Sequence, residues 1–477
     1  MIEERGSFRD PAGKVYYKND RVLRKLTTIG VNRFLKLQES NIISKSIQKG
    51  FLIETKEIKV EDNTKKDHNE LILEHEKIPY ISYPYEWSFS QLKDAAIFHL
   101  DFHLFLLEND ATLIDASAYN IQFIGSELKF IDVLSIQKYT EGEYWIGHKQ
   151  FCENFLNPLI LKSKKGIKFN NWFKGNLEGI ETKELNNLLN IFDKLSYNIF
   201  VHVHLLNKLD KKYISKKSLK PIIKNNKKLS KKSLMGILSQ LKKFISGLKD
   251  YKNVSTWDDY SVNNSYSIDD KDKKIDCVAQ FCKKNNFELI ADLGCNDGEY
   301  SILSLKNGCK SVIGFDFDIN AINNAYKKST DNNLNFLPLY FDATNPSSNI
   351  GWHQKERRGF IERANFSAII ALAFEHHLAI AKNIPLNDVV SWLVSLAPTG
   401  LIEFVPKEDE TIKKMLEFKG DIFPEYTKEN FDKYLSKESK IISKSIVSNS
   451  GRTIYEYKRQ SIIFYIHFSS FYNKIKF

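Results

Sequence analysis

Three carboxylates stand at or near the ends of three successive apolar runs in the C-terminal half of this 477-residue sequence. The first run, 289–293, contains Asp292 and feeds the turn Gly294-Cys295-Asn296-Asp297-Gly298. The second, 311–316, ends in Asp316, and the third, 336–340, is followed by Asp342 and Ala343. A strand, a glycine turn and a helix in that order let the backbone approach a ligand and aim amide groups at it. An acid about 20 residues after such a turn can accept both hydroxyls of a ribose, and a second acid at the next strand end can reach an adenine amino group. The turn departs from the dinucleotide spacing G-x-G-x-x-G, and no Gly-Lys-Ser/Thr follows, so it is not a P-loop. Helix capping or a salt bridge explains any one of these acids. All three, in order, point to a nucleoside-bearing ligand. Asp318 reads equally as a ribose contact or as the cap of a helix over 320–327.

A fourth run, 368–373, includes Ala371 and leads into Phe374-Glu375-His376-His377. Imidazole titrates near neutrality, so His376 or His377 suits the removal of a proton from an acceptor, with packing as the alternative role. Glu375 and Glu403 are weaker candidates. The polar and aromatic stretch from Asn345 to Arg363 reads as an active-site lid or substrate wall, or as a plain surface helix. Upstream, Tyr260 and Tyr266 could cover the site or fill the core.

The N-terminal half holds a second pattern. Asp115 is followed five residues on by Asn120, and a strand pair later by Asp132. The pattern resembles the catalytic loops of protein kinases and aminoglycoside phosphotransferases, in which a base Asp, a metal-binding Asn and a metal-binding Asp occupy these places. That resemblance implies ATP and Mg²⁺ as ligands. The front of the fold departs from it: no glycine-rich loop is visible, Lys25 is only a guess for the phosphate lysine, and no His-Arg or His-Gly precedes Asp115. A degenerate kinase-like domain, an active phosphotransferase and an unrelated fold with a turn at 115–120 all stay open. His99 and His103 share a helix face, and His202 and His204 alternate on a possible strand. With no third ligand at suitable spacing, both pairs read as packing residues and no metal site is expected.

The elements that position these residues follow from periodicity. Residues 15–23 read as a hairpin, and Ser88 to Glu108 carries a helical repeat with Ser88 or Ser90 as its cap. Residues 145–207 read as mostly helical. From about Asp272, strands and helices alternate, which argues for an open parallel sheet, and 440–447 with 453–458 suits a closing antiparallel hairpin. The expected domains are 1–207, a lysine-rich helical connector over 208–255, 256–460, and a tail over 461–477.

The net charge of +11 is concentrated. Between Lys208 and Lys249 stand fourteen lysines, no arginine and one acid, Asp210, so the remainder of the chain is slightly acidic. Such a patch could bind nucleic acid or an anionic membrane surface. Sparse stacking residues and absent arginine forks favour a solvated connector, so nucleic acid is not the expected partner. No apolar run approaches a membrane span of roughly 18 residues. The polar start Met1-Ile2-Glu3-Glu4 is no secretory signal. Five cysteines without a close pair read as free thiols in a cytoplasmic protein.

The strand ends at 292, 316 and 342 resemble the class I S-adenosylmethionine-dependent methyltransferases over about residues 272–458, with Asn296 in place of the usual second glycine. Tyr83-Pro84-Tyr85-Glu86-Trp87, Asp115-Ala116-Ser117-Ala118-Tyr119-Asn120, Glu403-Phe404-Val405-Pro406-Lys407 and Asp421-Ile422-Phe423-Pro424 together resemble a bacterial family of nodulation-protein-like methyltransferases over most of 8–458. The resemblance implies an α/β chain: a Rossmann-like seven-stranded methyltransferase sheet after an α+β kinase-like domain. It also implies methyl transfer from S-adenosylmethionine, here to an oxygen or nitrogen of a small molecule or glycan precursor. Asp292, Gly294, Asn296 and Gly298 would frame the methionine part, Asp316 the ribose, and Asp342 with Ala343 the adenine. Ala371 would line the pocket, and His376 or His377 would act as base.

Overall fold

The computed structural model describes residues 2–58, 71–208, 229–251 and 268–460. Most of the lysine tract, Tyr260, Tyr266 and the 461–477 tail lie outside the described residues.

The chain opens on a five-stranded antiparallel sheet of order β1-β2-β3-β5-β4. Its strands are β1 (Ile2–Glu3), β2 (Gly13–Lys18), β3 (Arg21–Leu26), β4 (Thr55–Ile58) and β5 (Ile72–His75). The β2–β3 hairpin is the expected one. Asn19 and Asp20 both take positive φ, at 46° and 67°, the conformation a tight hairpin turn requires and these side chains tolerate. The helix Phe89–Glu108 follows, with Ser88 and Gln91 forming a reciprocal capping box. Its Leu92, Ala95, Ala96, Leu100, Phe102, Leu106 and Leu107 are buried. Each large side chain among them contributes roughly 1.5–3 kcal/mol. Two short antiparallel pairs come next: β6 (Ala111–Leu113) with β9 (Ile136–Lys138), and β7 (Ile121–Ile124) with β8 (Glu127–Phe130).

Residues 148–208 are largely helical, interrupted by wide π-turns at Cys152–Leu156 and Phe200–Leu205. His202 and His204 therefore lie on a helical turn and not on the strand their alternation suggested. The helix Lys231–Gly247 buries Leu234, Leu238, Leu241 and Ile245, and its Lys231 and Lys242 pair with Asp110 and Asp101. Part of the lysine excess is thus spent on ordinary ion pairs.

The remaining strands form a seven-stranded sheet: β10 (Leu289–Leu293), β11 (Ser311–Asp316), β12 (Phe336–Tyr340), β13 (Ala368–Ala371), β14 (Thr399–Phe404), β15 (Ser439–Ile446) and β16 (Thr453–Arg459), in the order β12-β11-β10-β13-β14-β16-β15. The β11–β12, β10–β13 and β13–β14 pairs are parallel, whereas β16 runs antiparallel to both β14 and β15. The first five strands are connected by helical segments, so their buried, near-continuous apolar runs follow from cover on both faces.

The compact units are cut differently from the expected domains. One comprises Met1–Asn264 together with Gly294–Ala364, and the other Ser265–Leu293 together with Asn365–Phe477. Within the first unit, residues 294–364 are fastened to the N-terminal half. The Tyr326 hydroxyl donates to Asp94 at 3.0 Å and the Gln91 amide to the Pro338 carbonyl at 2.9 Å. Arg363 grips Glu86 in a two-pronged ion pair of 2.9 and 2.5 Å, almost wholly buried, and donates a third bond to the Ile81 carbonyl at 2.7 Å. Its guanidinium also lies over the rings of Tyr83 and Tyr80. The stretch 345–363, read from sequence as a lid, wall or surface helix, is pinned at both Arg358, to Glu4, and Arg363. Among the described residues no helix is long and apolar enough to cross a membrane.

Candidate functional site

In the first unit the glycine turn leaves β10 and enters the helix Glu299–Lys306. Gly294 and Gly298 hold φ of 78° and 89°, and Asn296 holds 49°, so the usual second glycine is replaced by the residue type that best tolerates the left-handed region. A Cβ on Gly298 would come within 2.5 Å of the Phe336 ring, so this position requires glycine twice over. Most amides of the turn are spent on holding its shape. Those of Gly294 and Cys295 donate to the Phe315 carbonyl, and that of Gly298 donates to the Cys295 carbonyl. The Asn296 amide donates to Asp316 Oδ2 at 2.8 Å, which ties the turn to the acid at the end of β11.

Asp316 Oδ1 accepts from the Asp318 amide at 2.8 Å. Burial pushes its carboxyl upward despite these backbone donors. A carboxylate offers about four lone-pair positions, and ribose hydroxyl donors would restore the solvation that burial removes. The residues fit a nucleoside at this point. Asp318 is the helix cap: its Oδ1 accepts from the amides of Asn320 and Ala321 at the start of helix Ile319–Asp331. Asp342, half-buried beside Ala343, accepts both the amide and the hydroxyl of Thr344 on Oδ1, at 2.9 and 2.6 Å.

Two features here were not singled out from sequence. Phe317 directly follows Asp316, is half exposed, and shares with Tyr340 the ammonium of Lys168, 5.2 and 5.4 Å from the two rings. Lys174 donates to the Asn345 carbonyl at 2.6 Å and carries its charge near Asp342. It also borders a cleft of about 660 Å³ lined by Arg9, Asn176, Ser348, Asn349 and Gln354 among others. The only sequence signal for either lysine is a basic residue in a helical region, which is too common to mark a site.

In the second unit Asp292 and Ala371 are buried in adjacent parallel strands, β10 and β13, and Asp292 pairs in register with Ile370. After β13 the backbone bends through Ala373, whose φ of 48° is uncommon for a residue with a Cβ. Its amide donates to Glu403 Oε2 at 2.8 Å, which supports the bend. Glu403 is fully buried and pairs with Lys274 at 2.8 Å. It is an anchor for the bend and not an exposed acid. Arg452 grips Asp409 through two bonds of 2.7 Å, and against the upward pull of burial this holds Asp409 down at about 2.

Glu375 is fully buried. Its Oε1 accepts from the Val405 amide at 3.1 Å and the Tyr426 hydroxyl at 2.8 Å, while Oε2 has no hydrogen-bond partner among the described residues. Burial pushes this carboxyl up to about 8, so it is largely protonated at pH 7. The next two residues behave in the opposite sense. Burial drives His376 well below its ordinary range and His377 down to about 4, the Arg452 charge adding to the effect on both. Both imidazoles are neutral at pH 7, and their rings lie 4.2 Å apart. The near-neutral titration expected from sequence is removed by burial.

Elsewhere in the first unit Asp115, Asn120 and Asp132 are brought together. Burial, then the negative charge of Asp132, raises Asp115, whose Oδ1 accepts from the Ser117 amide at 2.8 Å. Asp132 is held by Arg24 of β3 at 2.5 Å and by the Ser135 hydroxyl, and these keep it low against the upward pull of burial. The basic residue that pairs with Asp132 is Arg24, the neighbour of Lys25 in β3, and alternate residues of a strand leave it on opposite faces. His99 and His103 are fully buried among Phe130, Trp145, Phe151 and Phe155, in agreement with a packing role.

No protein-family profile matches the chain. Among solved structures, the magnesium protoporphyrin IX methyltransferase of Synechocystis PCC 6803 overlaps 46% of this chain and 95% of its own, with 18% identity and a TM-score of 0.30. The N-methyltransferase NodS of Bradyrhizobium japonicum WM9 overlaps 40% and 96%, with 11% identity and a TM-score of 0.30. By sequence, the nodulation protein NoeA of Rhizobium meliloti (strain 1021) is 41% identical over 456 residues, 95% of each chain. A likeness of that depth over 95% of both chains shows the family: this chain belongs to that of the nodulation protein NoeA.

Proposed function

We propose that this chain transfers a methyl group from S-adenosylmethionine to an oxygen or nitrogen of a small, hydroxyl-rich acceptor such as a glycan precursor. The observation that carries the reading is the turn Gly294–Gly298, tied through the Asn296 amide to Asp316 at the end of β11, with Asp342 just past the end of the neighbouring parallel strand β12. Gly294, Asn296 and Gly298 shape the methionine end, Asp316 takes the ribose hydroxyls, and Asp342 with Ala343 takes the adenine, with Phe317 beside it as an aromatic face. Asp292 and Ala371 are assigned to the cofactor as strand-end residues. The cofactor supplies a sulfonium-bound methyl group, so the protein's task is alignment of the acceptor and removal of its proton. His376 and His377, held neutral, are the candidate proton acceptors. The Asn- and Gln-rich cleft by Lys174 suits an acceptor recognised through hydroxyl groups, each of which both donates and accepts.

Calorimetric titration with S-adenosylhomocysteine tests this. The wild type should bind, and Asp316→Ala should weaken binding by about 1.5–3 kcal/mol, roughly 10- to 150-fold. A folded wild type that does not bind would overturn the reading.

The cluster of Asp115, Asn120 and Asp132, flanked by β6–β9 and β7–β8, supports a second reading of a kinase-like N-terminal domain. The Arg24 ion pair favours its degenerate form, because the guanidinium occupies the carboxylate that Mg²⁺ would need. ATP with Mg²⁺ should then leave the melting temperature unchanged. A stabilisation that disappears in Asp132→Ala would instead establish an active phosphotransferase site.

A further inference from the structure

The first unit brings together three side chains that the sequence keeps apart. His148 and Cys152 stand four residues apart on one helical face, at the start of the π-turn 152–156, and His202 lies within the second π-turn, 200–205. His148 Nε2 is 2.9 Å from His202 Nδ1 and 3.8 Å from Cys152 Sγ, and all three ligand atoms lie within 4.8 Å of one another. Cys152 and His202 are buried, while His148 is half-buried and gives the cluster its route to solvent. The sequence offered no third partner for His202 because that partner comes from about fifty residues upstream.

We infer that His148, Cys152 and His202 form a zinc site that clamps the helical segment beginning at His148 to the π-turn Phe200–Leu205, with a fourth coordination position left to water or another exogenous ligand. Two imidazoles and a thiolate form a borderline-soft set, which selects Zn²⁺ over Mg²⁺ or Ca²⁺. With Zn–N of about 2.05 Å and Zn–S of about 2.3 Å, tetrahedral angles place two nitrogens about 3.3 Å apart and nitrogen and sulfur about 3.6 Å apart. The two separations that involve His148 need shifts of no more than about half an ångström, and Cys152 Sγ with the His202 nitrogen, within 4.8 Å of each other, needs a closure of at most about 1.2 Å. Wide π-turns displace side chains from ordinary helical register and recur at functional sites. Here each carries a ligand. On binding, the Cys152 thiol proton leaves to solvent and the metal takes the thiolate. The proton shared between His148 and His202 moves to the outer nitrogen of its own ring, so both inner lone pairs face the metal.

The test uses the full chain. Zinc content is measured on the protein as purified, and Co²⁺ is titrated into chelator-treated protein. One equivalent of metal per chain is expected, with a near-ultraviolet thiolate-to-cobalt absorption band and a rise in melting temperature. Cys152→Ala should abolish the band. His148→Gln, at the half-buried position, should weaken Co²⁺ binding at least 100-fold while the apo protein keeps the wild-type circular dichroism spectrum. Absence of stoichiometric metal in the folded wild type would overturn the inference. So would a cobalt spectrum and affinity unchanged in both variants.

Discussion

Glu375→Gln isolates the energetic cost of one buried carboxyl. The native group titrates at about 8 against an ordinary value of 4.5, with burial as the main cause. A folded-state value raised in this way gives stability that is fully present below about pH 4.5 and lost as pH rises through 8. Each pH unit in that window removes about 1.4 kcal/mol, or about 4 kcal/mol between pH 5 and 8. Glutamine keeps the acceptor that binds the Val405 amide and the Tyr426 hydroxyl but cannot ionise. It also leaves amide hydrogens unpaired where Oε2 stood, which lowers stability by a constant amount at every pH. The informative quantity is therefore the slope of the difference. Differential scanning calorimetry of both proteins from pH 5 to 8.5 should show the variant gaining on the wild type as pH rises, by 2–4 °C per kcal/mol for a unit of this size. A difference that stays flat would mean that Glu375 is ionised in the folded protein, and the account of its environment would fail.

The remaining predictions concern ion pairs, turns and the acid limb. Arg363→Met should cost about 3–5 kcal/mol in chemical denaturation because it leaves Glu86 buried and unpaired. Arg363→Met with Glu86→Gln, which preserves the acceptor for the Tyr83 amide, should recover most of that loss, and failure to recover would refute the pairing as its cause. Gly298→Ala combines a left-handed φ with a clash against Phe336, so thermal scans should register a loss of about 2–5 kcal/mol, together with weakened S-adenosylhomocysteine binding. His377 titrates at about 4 when folded against 6.5 when unfolded, so its contribution is intact above pH 6.5 and lost as pH falls toward 4. His377→Asn should flatten the acid limb of the wild-type stability profile, and an unchanged limb would contradict the assignment.

The features legible in the sequence are those fixed by local pattern. Helix 89–108 follows from apolar spacing, with its cap narrowed to Ser88 or Ser90, and the hairpin turn at Asn19-Asp20 lies where the apolar pattern breaks between two strand-like runs. Asp318 stays open between ribose contact and cap until the amides of Asn320 and Ala321 settle it as a cap. Long-range partners were not legible. A strand's two faces differ by a single residue, and the pairing of Arg24 with Asp132, 108 positions away, has no local signal in sequence. The His-Val-His alternation at 202–204 reads as a strand until packing imposes a helix. The protonation of Glu375 depends on how completely its surroundings exclude water, which no neighbouring residue in sequence announces.

The grip of Arg363 on Glu86 also bears on how this gene can change. Proteins assembled from independent modules diversify by exchanging whole domains, because a cut in the linker exposes little apolar surface. Here a cut anywhere between the two halves strands a buried guanidinium on one fragment and a buried carboxylate on the other, beside the uncovered Tyr80 and Tyr83 rings. Recombinants that inherit only one partner would begin life several kcal/mol poorer than either parent, a handicap comparable to the whole stability of many domains. Selection should therefore transmit the two halves as a single heritable block. Their residues at 86 and 363 should vary together or not at all, even while loops elsewhere drift.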